Sequence, residues 1–96
     1  MIYFAKFGNN IKVGYTKGLA ERFKQHRRTY RPELQIEFLF AFEGDKREER
    51  NLHQQLKDRR VFGGKTEIFC LSDAELDNIR GNASSLPGFT MSLPKY

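Results

Sequence analysis

The sequence predicts an α+β domain: a small, mainly antiparallel three-stranded sheet flanked by helices, in the order ββαβα with a short C-terminal helix. Three observations carry this. Residues 34–42 alternate at period two. Two short apolar segments at the N-terminus are joined by Gly8-Asn9-Asn10. Two later stretches space their leucines and phenylalanine as helices do.

Ile2 to Phe7 reads as a short strand with alternating faces. Gly and Asn tolerate positive φ, so Gly8-Asn9-Asn10 is a turn, and Ile11 to Tyr15 returns as the second strand of a hairpin. Thr16 is placed to cap a helix from about Gly18 to Arg28, with Leu19, Ala20 and Phe23 as its buried face. Arg31-Pro32 ends that unit. In the third strand, Leu34, Ile36, Phe38, Phe40 and Phe42 share one face and Gln35, Glu37, Leu39 and Ala41 the other, and its apolar C-terminal end suits a central position. Gly44-Asp45 opens a second helix over roughly Lys46 to Arg59, with Leu52 and Leu56 inward. After the Gly63-Gly64 loop, Thr66 to Leu71 could form a brief strand. Ser72-Asp73-Ala74-Glu75 is a capping box that starts a third helix carrying Leu76 and Ile79. From Gly81 onward Asn, Ser, Pro and Gly dominate. The expected organisation is one domain over residues 1–81 and an irregular tail over 82–96, pinned by Leu86, Phe89 and Leu93.

Ninety-six residues can bury one modest core. An apolar share of 39%, with nine phenylalanines, suffices for that core and argues against disorder. No apolar run approaches the roughly 20 residues of a membrane span. Met1 leads straight into a strand without a signal-peptide pattern, so a cytoplasmic protein without a membrane partner is expected. The lone Cys70 allows no internal disulfide, and two histidines and one cysteine match no zinc spacing. The net charge is +5, and it is unevenly placed. Lys12, Lys17, Arg22, Lys24, Arg27, Arg28 and Arg31 crowd one segment against the single acid Glu21. Such a segment is either a footprint for phosphates or a solvated basic helix.

Three places could do chemistry. On the second helix, Glu49, Leu52, His53, Leu56 and Arg60 fall on one stripe. A carboxylate beside core leucines is costly unless it meets an arginine or a metal ion. On the first helix, Arg22 and His26 stand four apart on one face. A fixed guanidinium suits the spread charge of a phosphoryl-transfer transition state, although basic helices also carry plain surface arginines. On the hairpin, Tyr3 and Lys12 share a face if the turn has two residues, as with Asn9-Asn10, and lie on opposite faces if it has three. On a shared face, a lysine ammonium would favour the phenolate of a tyrosine otherwise too weakly acidic to act as a base. Otherwise Tyr3 is a packed strand aromatic and Lys12 a solvated cation.

Taken together, these residues resemble the GIY-YIG nuclease superfamily. Ile2-Tyr3 looks like the end of the first motif, with Met1 where glycine is usual. Lys12-Val13-Gly14, followed by Thr16, is similar to the second motif in the branch where lysine replaces its tyrosine. Arg22 matches the superfamily's arginine, His26 its histidine or tyrosine four residues on, and Glu49 its metal-binding glutamate. Arg59 to Phe69, including Glu67, resembles the closing segment of a branch frequent in bacteriophages. The resemblance implies a GIY-YIG-like fold and an endonuclease that hydrolyses phosphodiester bonds in DNA, with RNA a possible substrate. Tyr3, assisted by Lys12, would deprotonate water, Arg22 would stabilise the transition state, and His26 would position the water or Tyr3. Glu49 would hold one Mg²⁺ or Mn²⁺. Lys17, Lys24, Arg27, Arg28, Arg31 and Lys65 would contact the nucleic acid, with Arg59 and Arg60 as further contacts. Tyr15 and Tyr30 would be packed or would stack on bases, and His53 would be structural or would support a metal ligand from behind. A non-catalytic nucleic-acid-binding module and a phage-type protein-interaction inhibitor are the alternatives. Monomer and dimer both remain open.

Overall fold

A computed structural model describes residues 1–29, 36–62 and 66–93, with no side chains described at 27–29. The elements are β1 (Ile2–Phe7), β2 (Asn10–Tyr15), α1 (Leu19–Thr29), β3 (Ile36–Phe42), α2 (Lys46–Gln55), a single 3-10 turn (Lys57–Arg59), β4 (Ile68–Phe69) and α3 (Asp73–Ala83). The sheet is antiparallel and has four strands in the order β3-β1-β2-β4. The α+β class is as the sequence predicts, with one more strand.

β1, rather than β3, is central. Ile2, Tyr3, Phe4 and Ala5 are all fully buried, because both faces of the sheet are covered. A continuous apolar run is what such a strand requires. Leu19 and Phe23 of α1 pack with Tyr3, Ala5 and Ala41 on one face. On the other face Leu52 of α2, Leu56 at its C-terminal end, and Leu76 and Ile79 of α3 pack against Ile2, Phe4, Val13, Phe40 and Phe42. Ala20 is only half-buried.

β3 does not keep one apolar face. The β1–β3 register shifts between Phe4 and Ala5, so that Phe4 faces Phe40 but Ala5 faces Phe38. Such a bulge reverses the alternation. Ile36 and Phe38 therefore join the α1 side, while Phe40 and Phe42 join the α2 side, where Phe4 stacks on Phe40 at 4.6 Å. Both faces need aromatic filling, and the bulge supplies it from one strand. Leu34 and Gln35 lie outside the described residues.

The hairpin turn is Gly8-Asn9, one residue earlier than Asn9-Asn10. Phe7 pairs with Asn10, and Gly8 takes the positive φ (61°) that the first position of a primed turn needs. The even residue count is kept. Tyr3, Ala5, Lys12 and Gly14 therefore share a face, as the pairs Tyr3↔Gly14 and Ala5↔Lys12 show.

α2 is shorter than its apolar pattern. Asp45 caps it by accepting from the Glu48 N–H at 2.9 Å. After Gln55 the chain tightens into the 3-10 turn, and Arg60 becomes extended and bridges to Phe69. Arg60 thus leaves the helical stripe of Glu49, because sheet pairing claims it: the Cys70 N–H donates to the Arg59 carbonyl at 2.7 Å. α3 begins at the Ser72/Glu75 capping box and runs past Gly81 to Ala83. Beyond it, Thr90 pairs with Ala41 on the outer edge of β3, Phe89 packs near Phe40, and Leu93 packs on the α1 side. Leu86 stays 42% exposed.

Candidate active site

The site forms where β4 stops. β4 pairs with β2 only at Ile11 and Lys12, with one further bond from the Val13 N–H to the Glu67 carbonyl at 2.9 Å. Among the described residues no strand pairs with the outer edge of β2 beyond Val13. His53 of α2 meets that edge: its Nε2 lies 2.9 Å from the Val13 carbonyl, which can only accept, so Nε2 carries the proton. His53 is structural in this sense. It ties α2 to β2 and brings Glu49, one turn earlier, to the same edge. α1 reaches that edge from the opposite face with Arg22 and His26.

Tyr3 and His26 form the buried half of the site. The Tyr3 hydroxyl lies 2.9 Å from His26 Nε2, and Phe23 packs edge-on against the Tyr3 ring at 5.3 Å. Tyr3 is fully buried and His26 is 6% exposed. The Tyr3 ring lies over Gly14, where a Cβ would come within 2.5 Å of the phenol oxygen and its ring carbon. The glycine of Lys12-Val13-Gly14 is therefore the surface on which the tyrosine rests. Burial pushes the His26 imidazole down from its usual 6.5 to about 4, and the positive charges of Lys12 and Arg22 push the same way against Glu67. The ring is neutral at physiological pH.

The charged half of the site centres on Lys12, which is 9% exposed, with its Nζ 3.1 Å from Glu67 Oε2. This partner was not legible in the sequence. A brief strand was the only signal that Glu67 would return beside β2. Glu49 is half-buried. Burial raises its carboxyl above the usual range, and the negative charge of Glu67 adds to this, opposed by His53, Lys12 and Lys46. Among the described residues no group of three or more His, Cys, Asp and Glu side chains forms a ready-made metal cage. A half-buried carboxylate whose charge is disfavoured by burial and by a nearby Glu67 nonetheless suits one hard divalent cation. Mg²⁺ commonly takes one or two carboxylates and completes its shell with water and phosphate oxygen.

Arg22 is half-buried and opens onto a groove of about 640 Å³ between α1 and the start of α2. Tyr15, Lys17, Lys24 and Lys46 also line it. Lys17 and Lys24 were expected contacts, and Tyr15 opens here rather than packing away. Nothing local in the sequence shows that Lys46, the first residue of α2, faces this groove. Arg59 and Arg60, expected as further contacts, do not line it. Arg59 pairs with Glu75 at 3.0 Å, and the Arg60 guanidinium lies over the Phe69 ring at 5.4 Å. The side chains of Arg27 and Arg28 are not described, and Tyr30, Arg31 and Lys65 lie outside the described residues. No helix among the described residues is long and apolar enough to cross a membrane.

Comparison with known proteins found no significant match among curated proteins or solved structures. The family model of the T5orf172 domain matches residues 1–84. The chain belongs to the T5orf172 domain family, a GIY-YIG-like domain associated with phage nucleases.

Proposed function

We propose that the chain is a metal-dependent endonuclease that hydrolyses phosphodiester bonds in DNA, of the phage-type branch with lysine in place of the second motif's tyrosine. One observation carries this reading. Four elements bring Tyr3, Lys12, Arg22, His26 and Glu49 around the end of the β2–β4 pairing, next to a basic groove.

Tyr3 takes a proton from the attacking water, and neutral His26, whose Nε2 is within hydrogen-bond distance of the Tyr3 oxygen, positions it. The full burial of Tyr3 sets a condition: one water must enter beside the phenol oxygen when substrate binds. Lys12, on the same face, favours negative charge on that oxygen. Arg22 faces the groove and offsets the charge gathering on the phosphate oxygens. Glu49 would hold one Mg²⁺ or Mn²⁺, whose charge balances that of the leaving oxygen. Lys17, Lys24 and Lys46 hold the backbone along the groove. Arg27, Arg28, Arg31 and Lys65 are further proposed contacts.

The test is nicking of supercoiled plasmid with Mg²⁺ or Mn²⁺, run beside Arg22→Ala and Glu49→Ala. Metal-dependent nicking by the parent and a loss of at least about 100-fold in both variants is the expected result, the scale of removing one transition-state contact. Full activity in Glu49→Ala would remove the metal site. One observation favours the binding-module alternative: Tyr3 is sealed and hydrogen-bonded, as a purely structural tyrosine would be. That reading predicts salt-sensitive DNA binding and no nicking with any metal.

A further inference from the structure

Phe62 stands apart from the other aromatic residues. Its exposure is 70%, the highest among the large apolar side chains described, and its φ is +61°. Among the described residues no other non-glycine residue has positive φ. A bulky side chain in the left-handed region is strained, and such strain persists only where the surroundings enforce it. The surroundings here are well tied. Arg60 bridges to Phe69, the Val61 N–H donates to the Ile68 carbonyl at 2.9 Å, and the Thr66 hydroxyl donates to the Val61 carbonyl. A strained backbone therefore holds an aromatic ring out in water, where it gains nothing from the core.

The position of the ring points to a partner. The Val61 N–H bonds to the Ile68 carbonyl and the left-handed φ of Phe62 ends the pairing there, so Phe62 and Glu67 are the first residues past that bond on the two sides. Glu67 is the residue paired with Lys12. Phe62 thus stands at the rim of the charged half of the site, in a chain of net charge +5. We propose that Phe62 stacks on an unpaired nucleobase of the bound strand, close to the phosphate that the site receives. An aromatic face accepts any base, so the contact positions the strand without reading its sequence. The inference rests on the nucleic-acid reading of the site and names a contact that reading does not contain.

The chain has no tryptophan, so Phe62→Trp installs a single fluorophore at this place. Its emission should be quenched on titration with a short single-stranded DNA oligonucleotide. Phe62→Ala should bind the same oligonucleotide about tenfold more weakly, the scale of one lost base stack. The dependence of its affinity on salt should match the parent's, since no phosphate contact is removed. Phe62→Leu keeps apolar bulk without a π-face and should lose affinity as Phe62→Ala does. An exposed position keeps all three variants folded, which circular dichroism checks. Parental affinity in Phe62→Ala or Phe62→Leu, or unquenched emission at saturation, overturns stacking and leaves the nuclease reading standing. Absence of oligonucleotide binding by the parent at low salt overturns both.

Discussion

Single residues set the chemistry through what they touch. Gly14 is the clearest case. A methyl group there would sit within 2.5 Å of the Tyr3 ring, and the two strands are locked by pairing. Gly14→Ala should displace the ring, break its hydrogen bond to His26 and cost about 1–3 kcal/mol, read from the urea midpoint. An unchanged midpoint would mean that Tyr3 has room elsewhere. His26 makes a second prediction. Its folded pKa of about 4 lies below the unfolded 6.5, so the fold holds it neutral. The stability this contributes is fully present above pH 6.5 and is lost as pH falls toward 4, by up to about 3 kcal/mol. Urea unfolding across that window should show the loss, and His26→Phe should flatten it. Tyr3, Lys12, Arg22, His26 and Glu49 were legible as candidates because their spacing along strands and helices fixes their faces. Glu67 and Lys46 were not, because their neighbours are brought near only by folding.

Elements bring these residues to one place, and their ends are written locally. Asp45 starts α2 by accepting from Glu48, and Ser72 with Glu75 starts α3. Asp45→Ala should lower stability by about 1 kcal/mol in urea unfolding. It should also loosen the first turn of α2, which carries Glu49, so metal affinity should fall with it. Metal affinity equal to the parent's would show that His53, bonded to Val13, is enough to place Glu49. The end of α2 was less legible. Leucine spacing extends the helix to Arg59, yet the pairing of Arg59 and Arg60 with the β4 region draws the chain out of it. The β3 bulge was hidden for a related reason: Ile36, Phe38, Phe40 and Phe42 alternate without fault in sequence, and only the pairing with β1 divides them.

At the scale of the whole molecule, a sheet covered on both faces leaves the end of β2 without a β4 partner among the described residues, and the site lies there. The sequence by itself determined the α+β class, the N-terminal hairpin, the helix starts and the basic first helix, while the shared face of Tyr3 and Lys12 waited on the two-residue Gly8-Asn9 turn. These follow from turn residues, caps and periodicities that act over a few residues. Only the tertiary structure decided that β1 is central, that β4 ends at Lys12, and that His53 and Glu67 close around that end of β2. Strand order and burial on two faces depend on which distant segments exclude water from each other, and no local pattern encodes that choice.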